Sequence, residues 1–293
     1  MLFLNPQAGG RFIDATFGGG GHTRALLERT APIGRVLGLD QDESALEGGR
    51  RDLASFGSRL ELVKCNFRNI AHVAADRGFS DPDGVLADIG VSSMMLDDPS
   101  RGFSFMCEGP LDMRMDVEQP LRAVDIVNTY GEREIADILY KYGEERRSRP
   151  IARAIVRSRP LVRTTDLARV VEGVLGKPRY RQIHPATRTF QALRIAVNDE
   201  LHSLETFLEG AMTVLRSRGR LVVITFHSLE DRIVKNKFRA SALSGTEAPV
   251  HKGQTPPSPR GAVLTKKVVT AAEDEVRRNP RARSAKLRAW EKQ

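Results

Sequence analysis

Cysteine and long apolar runs are the features that this sequence most clearly lacks. The chain of 293 residues has two cysteines, Cys65 and Cys107, and neither forms a CxxC pair or has a histidine at metal-ligand spacing. A disulfide framework and a metal site are therefore not expected, and so few cysteines fit a reducing cytoplasm. No apolar run reaches membrane-spanning length, and the first residues lack the charged-then-apolar layout of a secretory signal. We expect a cytoplasmic protein that does not act in a membrane.

Acidic residues are also scarce relative to basic ones. The chain has 46 Lys and Arg against 37 Asp and Glu, a net charge of +9. Between Lys141 and Arg194 there are 14 basic and 4 acidic residues, and between Arg277 and Lys292 there are 7 and 1. A solvated surface would explain one such run, but two basic regions beside a glycine-rich motif favour a polyanionic partner.

The first ninety residues alternate between short apolar runs and segments of helical length. The predicted strands are residues 11–16, 35–40, 60–65 and 85–88, with later strands at 220–226 and 262–269. Strands separated by helices imply an α/β fold with a parallel sheet, in which ligands bind at the carboxyl ends of the strands. A proline-containing loop is predicted between Leu243 and Gly261.

From about residue 100 the apolar residues follow a helical spacing instead. This pattern predicts one long helix from Pro185 to Leu215 and a short helix that carries Arg149, Arg153 and Arg157 on one face. We therefore predict a sheet domain of residues 1–104 and 201–293, interrupted by an all-helical insert of residues 105–200. Its excess of arginine makes the insert the predicted recognition domain for a polyanion such as RNA.

A glycine-rich turn follows the first predicted strand. Gly18 to Gly21 leave the backbone open to a ligand, and the helix that follows offers free N–H groups. A G-x-G-x-x-G fingerprint would need glycine where Thr23 stands, and no Gly-Lys-Ser/Thr follows as in a P-loop. Asp40 ends the next strand, where its carboxylate would bind ribose hydroxyls or cap the following helix. The turn by itself leaves a nicotinamide cofactor as an alternative.

Two more residues that follow predicted strands suit catalysis. Asp88 ends the fourth strand, where it would bind a cofactor, orient an amine, or cap the next turn. His227 directly follows the fifth strand and either faces a target base or is hydrogen-bonded within the fold. Ser228 and Asp231 fit an N-cap and its N3 partner, which makes Asp231 structural.

A loop near residue 100 combines a basic side chain with two aromatic ones. Arg101, Phe103 and Phe105 would contact RNA phosphates and bases, or would anchor the loop in the core. The sequence does not decide between these alternatives.

Six blocks of sequence carry a more specific signal, because they are long and occur in order over nearly the whole chain. They are DATFGGGGH (14–22), DIGVSS (88–93), RGFSF (101–105) with GPLDMRMD (109–116), HPATRTFQALR (184–194), FHSLEDR (226–232) and NPRARSAKLR (279–288). Together they resemble the ribosomal RNA small subunit methyltransferase H family, also called MraW. Members of that family usually carry a His-x-Pro-Val segment ahead of the first block, so a shortened form is expected.

The resemblance implies a Rossmann-like, S-adenosylmethionine-dependent methyltransferase with an inserted helical domain. The implied reaction is N4-methylation of one cytidine of 16S rRNA near the decoding centre. The implied partner is 16S rRNA within the small ribosomal subunit, and a homodimer is compatible with the sequence. Carried over by position, the implied cofactor contacts are Gly20, Gly21, His22, Asp40, Phe67 and Asp88. Met95 occupies a further contact position, at which the family tends to have glutamine.

Three other functions remain as alternatives. A non-catalytic RNA-binding or ribosome-assembly protein would keep the fold without cofactor binding, which the intact glycine turn disfavours. A nicotinamide-dependent oxidoreductase is disfavoured by the incomplete fingerprint and by the basic insert. A DNA substrate is disfavoured because Asp88-Ile89-Gly90-Val91 lacks the Pro-Pro-aromatic motif of many amino-methyltransferases.

Overall fold

The computed structural model describes residues 1–176, 184–242 and 260–293, and they form two compact units. The first unit comprises Met1–Gly90 and Leu201–Gln293, and the second comprises Val91–Glu200. The second unit therefore begins at residue 91 rather than at the predicted 105, because Met95 and Phe103 are buried in its core. Within the described ranges, no helix is both long enough and apolar enough to cross a membrane.

The five predicted strands up to residue 226 are confirmed, with ends that differ by at most two residues. The strands are β1 (Arg11–Asp14), β2 (Arg35–Asp40), β3 (Leu60–Lys64), β4 (Gly84–Asp88), β5 (Arg220–Thr225), β6 (Gly261–Val263), β7 (Val269–Thr270) and β8 (Lys286–Lys292). The helices are α1 (Gly21–Arg29), α2 (Glu43–Asp52), α3 (Ile70–Asp76), α4 (Ser93–Asp97), α5 (Ala123–Thr129), α6 (Glu132–Gly143), α7 (Ser148–Arg157), α8 (Thr164–Leu175), α9 (Thr187–Asn198), α10 (Glu200–Val214), α11 (Ser228–Ala242) and α12 (Glu273–Arg278).

One mixed sheet organises the first unit, in the order β3-β2-β1-β4-β5-β8-β6. β1 to β5 are parallel, so their carboxyl ends meet at one edge. The predicted parallel sheet is confirmed for β1 to β5, whereas β8, which was not predicted, pairs antiparallel with β5 and with β6. The predicted last strand at 262–269 is two short strands, β6 and β7, and most of the predicted loop before it lies outside the described residues.

The predicted long helix from Pro185 to Leu215 is two helices, α9 and α10. They are separated at Asp199, which has a left-handed φ of 49° and ends the hydrogen-bonding pattern of α9. Apolar residues keep helical spacing on both sides of the break, so periodicity alone did not reveal it. The break also separates the two units, since the first unit resumes at Leu201.

The buried core of the first unit follows the sheet. Parallel strands buried on both faces contribute continuous apolar runs, and α10 packs Leu204, Phe207 and Leu208 against one face. Trp290 of β8 is the largest fully buried side chain of the same core. This packing makes a rigid support for the edge at which β1, β2 and β4 end.

Candidate cofactor and active site

The glycine turn is held on the end of β2 by two hydrogen bonds. The Phe17 N–H donates to the Leu39 carbonyl oxygen at 2.8 Å, and the Gly18 N–H donates to Oδ2 of Asp40 at 2.7 Å. Gly18 and Gly20 have left-handed φ angles of 51° and 73°. Glycine adopts this conformation without the steric cost of a side chain, so the sequence permits a turn this tight between β1 and α1.

Three of the four glycines of the turn, Gly19, Gly20 and Gly21, have two different kinds of surroundings. A Cβ atom on Gly20 would lie 2.7 Å from Cζ of Phe17, and Gly38 and Gly49 also leave room for that ring. Gly19 and Gly21 are exposed, and a Cβ on either would meet nothing within 4 Å. Gly20 therefore keeps the turn packed on Phe17, whereas Gly19 and Gly21 present open backbone to a ligand.

Asp40 has acceptor capacity beyond what the fold uses. Its Oδ1 accepts the Asp42 N–H at 2.9 Å, and its Oδ2 accepts the Gly18 N–H. The cap of α2 is not Asp40 but Asp42, whose side chain accepts the Ser44 N–H at 3.1 Å. The Gln41 N–H also donates to this carboxylate, and since a carboxylate has about four lone-pair positions, Asp40 retains about one for a ribose hydroxyl. The pKa of Asp40 is raised above its ordinary value, mainly because the carboxyl group is buried.

Phe67 lies after β3, at the same carboxyl edge. It begins a short 3-10 helix and is partly buried, and its ring meets that of Phe207 edge-on with centroids 5.2 Å apart. An aromatic ring fixed in this way gives a ligand a flat apolar contact. The position fits the cofactor contact that was predicted from the sequence.

Asp88 ends β4 with a carboxylate that the fold does not satisfy. Its backbone N–H donates to Oγ1 of Thr16 at 2.6 Å, and its Oδ2 lies 3.5 Å from Nε2 of His22. Oδ1 is buried, and no donor reaches it from the residues that the structure describes. The side chain is 34% exposed, so its accessible part lies at Oδ2 beside His22. Asp88 is therefore not a helix cap, and an unsatisfied carboxylate oxygen indicates a functional role.

A second buried acid, Asp14, supports this arrangement and was missed in the sequence. Its Oδ2 accepts the Thr23 hydroxyl at 2.7 Å, and its Oδ1 accepts the Thr16 N–H at 3.3 Å. Burial raises the pKa of Asp14 to about 6, although the nearby His22 opposes the rise. The interaction with Asp88 raises the pKa of His22 above its ordinary value. The available signal was that Asp14, like Asp40 and Asp88, is the acid that ends a buried strand.

His227 is held inside the fold rather than facing a substrate. Its side chain is 10% exposed, and its Nε2 lies 3.0 Å from Oε1 of Glu230, although the geometry between these two atoms is not that of a hydrogen bond. Glu230, which is fully buried, accepts the N–H groups of Phe226 and His227 at 2.9 and 3.3 Å. These contacts favour the structural alternative for His227 over the predicted catalytic role. The predicted N3 partner was also wrong, because Glu230 makes those contacts and Asp231 pairs with Arg288 at 2.6 Å.

In the second unit, two predicted site residues serve the fold. Met95 is 6% exposed and belongs to the core cluster, so it does not replace the polar contact of a glutamine. The Arg101 guanidinium donates to the carbonyl oxygens of Arg114 and Met115 at 3.1 and 2.9 Å. Together with the buried Phe103, these bonds support the core-anchoring alternative for the loop near residue 100.

The three predicted RNA-contacting arginines are all exposed on α7. Arg153 lies 3.3 Å from Glu132, which offsets part of its charge. Arg149 and Arg157 have no acidic partner among the described residues. The opposite face of α7 buries Ile151, Ala152 and Ile155, so the arginine face is its outward face.

Comparison with known proteins agrees with the sequence blocks. The model of the MraW methylase family matches residues 1–293. The chain is 52% identical to a protein of Carboxydothermus hydrogenoformans over 296 residues, covering 99% of this chain and 94% of that protein. It is 50% identical to a protein of Geobacter sulfurreducens over 301 residues, covering 100% and 96%. Both relatives are named ribosomal RNA small subunit methyltransferase H. The chain belongs to the MraW methylase family, whose members are S-adenosylmethionine-dependent methyltransferases.

Proposed function

We propose that this protein methylates N4 of a cytidine in 16S rRNA near the decoding centre, with S-adenosylmethionine as the methyl donor. The names of its relatives support an rRNA substrate. The observation that carries the chemistry is the Asp88 carboxylate at the carboxyl edge of the sheet, which is accessible at Oδ2 and has no donor on Oδ1 among the described residues. The test is mass mapping of methylated nucleotides in 16S rRNA from cells with and without the gene. An unchanged modification pattern would contradict the proposal.

The residues at the sheet edge fit S-adenosylmethionine. The open backbone at Gly19 and Gly21 receives the cofactor, and Asp40 accepts a ribose hydroxyl. Phe67 supplies an aromatic face at the end of β3. When bound, the cofactor supplies a methyl group on a positively charged sulfur.

Asp88 acts on the amine of the target base. The exocyclic nitrogen of cytosine is a poor nucleophile because its lone pair is delocalised into the ring. Oδ2 of Asp88 accepts an N–H of this amine, which increases charge on the nitrogen and fixes its direction of attack. After transfer the nitrogen carries one proton too many, and the same carboxylate is placed to accept it. His22 lies beside this carboxylate, with Nε2 3.5 Å from Oδ2 of Asp88, and the hydrogen bond to Asp88 raises the pKa of His22.

Replacing Asp40 with alanine is expected to weaken S-adenosylmethionine binding by about 1–3 kcal/mol, because a ribose hydroxyl loses its acceptor. Isothermal titration calorimetry measures this loss directly. Asp42→Ala is the matched control, since it removes a carboxylate two residues away. It should cost about 1 kcal/mol of stability through the lost cap and leave cofactor affinity unchanged. Wild-type affinity in Asp40→Ala would remove Asp40 from the site.

We further propose that the helical unit docks the RNA through the arginine face of α7. Neutralising Arg149, Arg153 and Arg157 to glutamine is expected to flatten the dependence of log affinity on log salt. Arg149 and Arg157 should account for most of the effect, because Glu132 already offsets Arg153. Each phosphate that an arginine no longer neutralises should lower the slope by about 0.7–0.9.

Salt titrations of binding to transcribed 16S rRNA measure this slope, and calorimetry should show unchanged cofactor affinity. Arg29→Gln with Arg51→Gln, two exposed arginines of the first unit, serves as a control for general loss of charge. An unchanged slope in the α7 variant would mean that this face is only solvated. The cytoplasmic location and the assembled small subunit as substrate stay predictions.

A further inference from the structure

A small basic pocket lies on the first unit, away from the glycine turn. Its volume is about 140 Å³, and it is formed by α11, β8 and the segment that follows β6. Cations at its rim are Lys235, Arg239, Lys266 and Arg288, and its other lining residues are Thr265, Phe238 and Val263. β4 and β5 separate β1 from β8 in the sheet, so the pocket is distinct from the cofactor edge.

The positive charge of this pocket is not neutralised by the protein. Lys235, Arg239 and Lys266 are exposed, and none has an acidic partner in the part of the chain that the structure describes. Arg288 pairs with Asp231 through Nε and Nη2, which leaves Nη1 for another acceptor. Three cations without an acidic partner among the described residues and one that is paired with Asp231 line one concave surface, and this excess of positive charge attracts an anion.

Two of the donors in this pocket are also held in place by the fold. The paired Asp231 fixes the plane of the Arg288 guanidinium, whose side chain is 12% exposed. Lys235 and Arg239 are four residues apart in α11 and therefore lie on one face of the helix. The Thr265 hydroxyl oxygen accepts the Ala289 N–H at 3.0 Å, so its own proton remains for a ligand oxygen. The fixed donors of Arg288 and Thr265, together with the exposed cations at the rim, suit the oxygens of a phosphate group.

We propose that this pocket binds one phosphodiester of the RNA substrate, an inference that rests on the proposed function. Pockets that enclose a whole small molecule measure roughly 300–1,000 Å³, so this one is too small for a nucleotide. It holds one phosphate group, and the RNA chain on either side of that phosphate lies outside the pocket. The first unit then contributes an RNA contact of its own, in addition to α7.

The double variant Lys235→Gln, Arg239→Gln tests this proposal in the full-length protein. If the variant no longer holds one phosphate, the slope of log affinity against log salt for transcribed 16S rRNA should fall by about 0.7–0.9. The same slope change corresponds to about fourfold to sixfold weaker binding at roughly 0.15 M salt. Calorimetry should show wild-type affinity for S-adenosylmethionine, because neither residue belongs to the cofactor site. Arg29→Gln with Arg51→Gln removes the same charge from another surface and should keep the wild-type slope.

Other outcomes would contradict either this proposal or the proposed function. If the pocket variant and the control variant have equal slopes, the pocket does not bind RNA and the proposal fails. If inorganic phosphate binds the wild-type pocket while the RNA slopes stay equal, the site holds a free anion and the proposal also fails. Wild-type protein without salt-dependent rRNA binding would instead overturn the proposed function. Lys266→Gln repeats the test at a third position, and the midpoint of thermal unfolding confirms that each variant is folded.

Discussion

Asp88→Asn is expected to slow single-turnover methylation by about tenfold to a thousandfold, a loss of a few kcal/mol of transition-state stabilisation. Asparagine keeps the size of the side chain and one acceptor oxygen, but it loses the negative charge. That charge is the property by which Asp88 polarises the cytosine amine and accepts its proton. Because the fold leaves Oδ1 without a donor, the thermal stability of the variant should change little.

The rate must be measured at saturating S-adenosylmethionine and RNA, because single turnovers under these conditions separate chemistry from binding. His227→Gln is the comparison variant. Since His227 is buried against Glu230, its loss should lower the thermal midpoint and leave the rate close to that of wild type. A near-wild-type rate in Asp88→Asn would refute the role of charge. A large rate loss in His227→Gln with unchanged stability would restore His227 as the catalytic residue.

Gly20→Ala is expected to destabilise the first unit by about 2–5 kcal/mol and to weaken S-adenosylmethionine binding at least tenfold. A left-handed conformation costs an alanine about 1–2 kcal/mol. The new Cβ would also press on Phe17 from 2.7 Å, and overpacking of this kind costs about 1–3 kcal/mol more. To relieve the contact, the turn must move away from the end of β2, where Asp40 holds Gly18. Thermal unfolding and calorimetry measure the two effects.

Gly21→Ala separates the two roles of the turn. Gly21 is the first residue of α1, and its added methyl group would meet no protein atom within 4 Å. Stability should be unchanged or rise by up to about 1 kcal/mol, because alanine favours a helix more than glycine does. Cofactor affinity should fall, because the methyl group projects into the open side of the turn. If Gly21→Ala binds the cofactor normally, the cofactor does not lie on that side.

The parts of the fold that the sequence predicted well are those with continuous apolar runs. β2 and β4 were found within a residue because strands buried on both faces are apolar throughout. β8 was missed because Lys286, Arg288 and Lys292 make it resemble a solvated basic tail. Arg288 is tolerated inside because it pairs with Asp231, which is a contact with a residue distant in sequence. The sequence signal that could have revealed β8 was Trp290, the single tryptophan of the chain, which lies between Arg288 and Glu291.

For the candidate site too, local sequence predicted the positions of residues but not their burial or their contacts. Asp40 and Asp88 were found because each ends a strand, and Gly20 because it lies in the turn after β1; strand ends meet at one edge of a parallel sheet. Local sequence did not show that Asp14 is fully buried or that the fold leaves Asp88 unsatisfied. It also did not distinguish a buried His227 from an exposed one. Those properties depend on which side chains arrive from other strands.

The order of the strands has a consequence for synthesis of the protein. β5 lies beside β4 in the sheet, but the 110 residues of Val91–Glu200 are made between the two segments of the first unit. At 5–20 residues per second, translation of this stretch takes roughly 5–20 s. During that time β4 presents an unpaired, apolar edge to solvent, whereas the helical unit is continuous in sequence and is complete first. The nascent chain therefore passes through an interval in which an unpaired strand edge is open to aggregation.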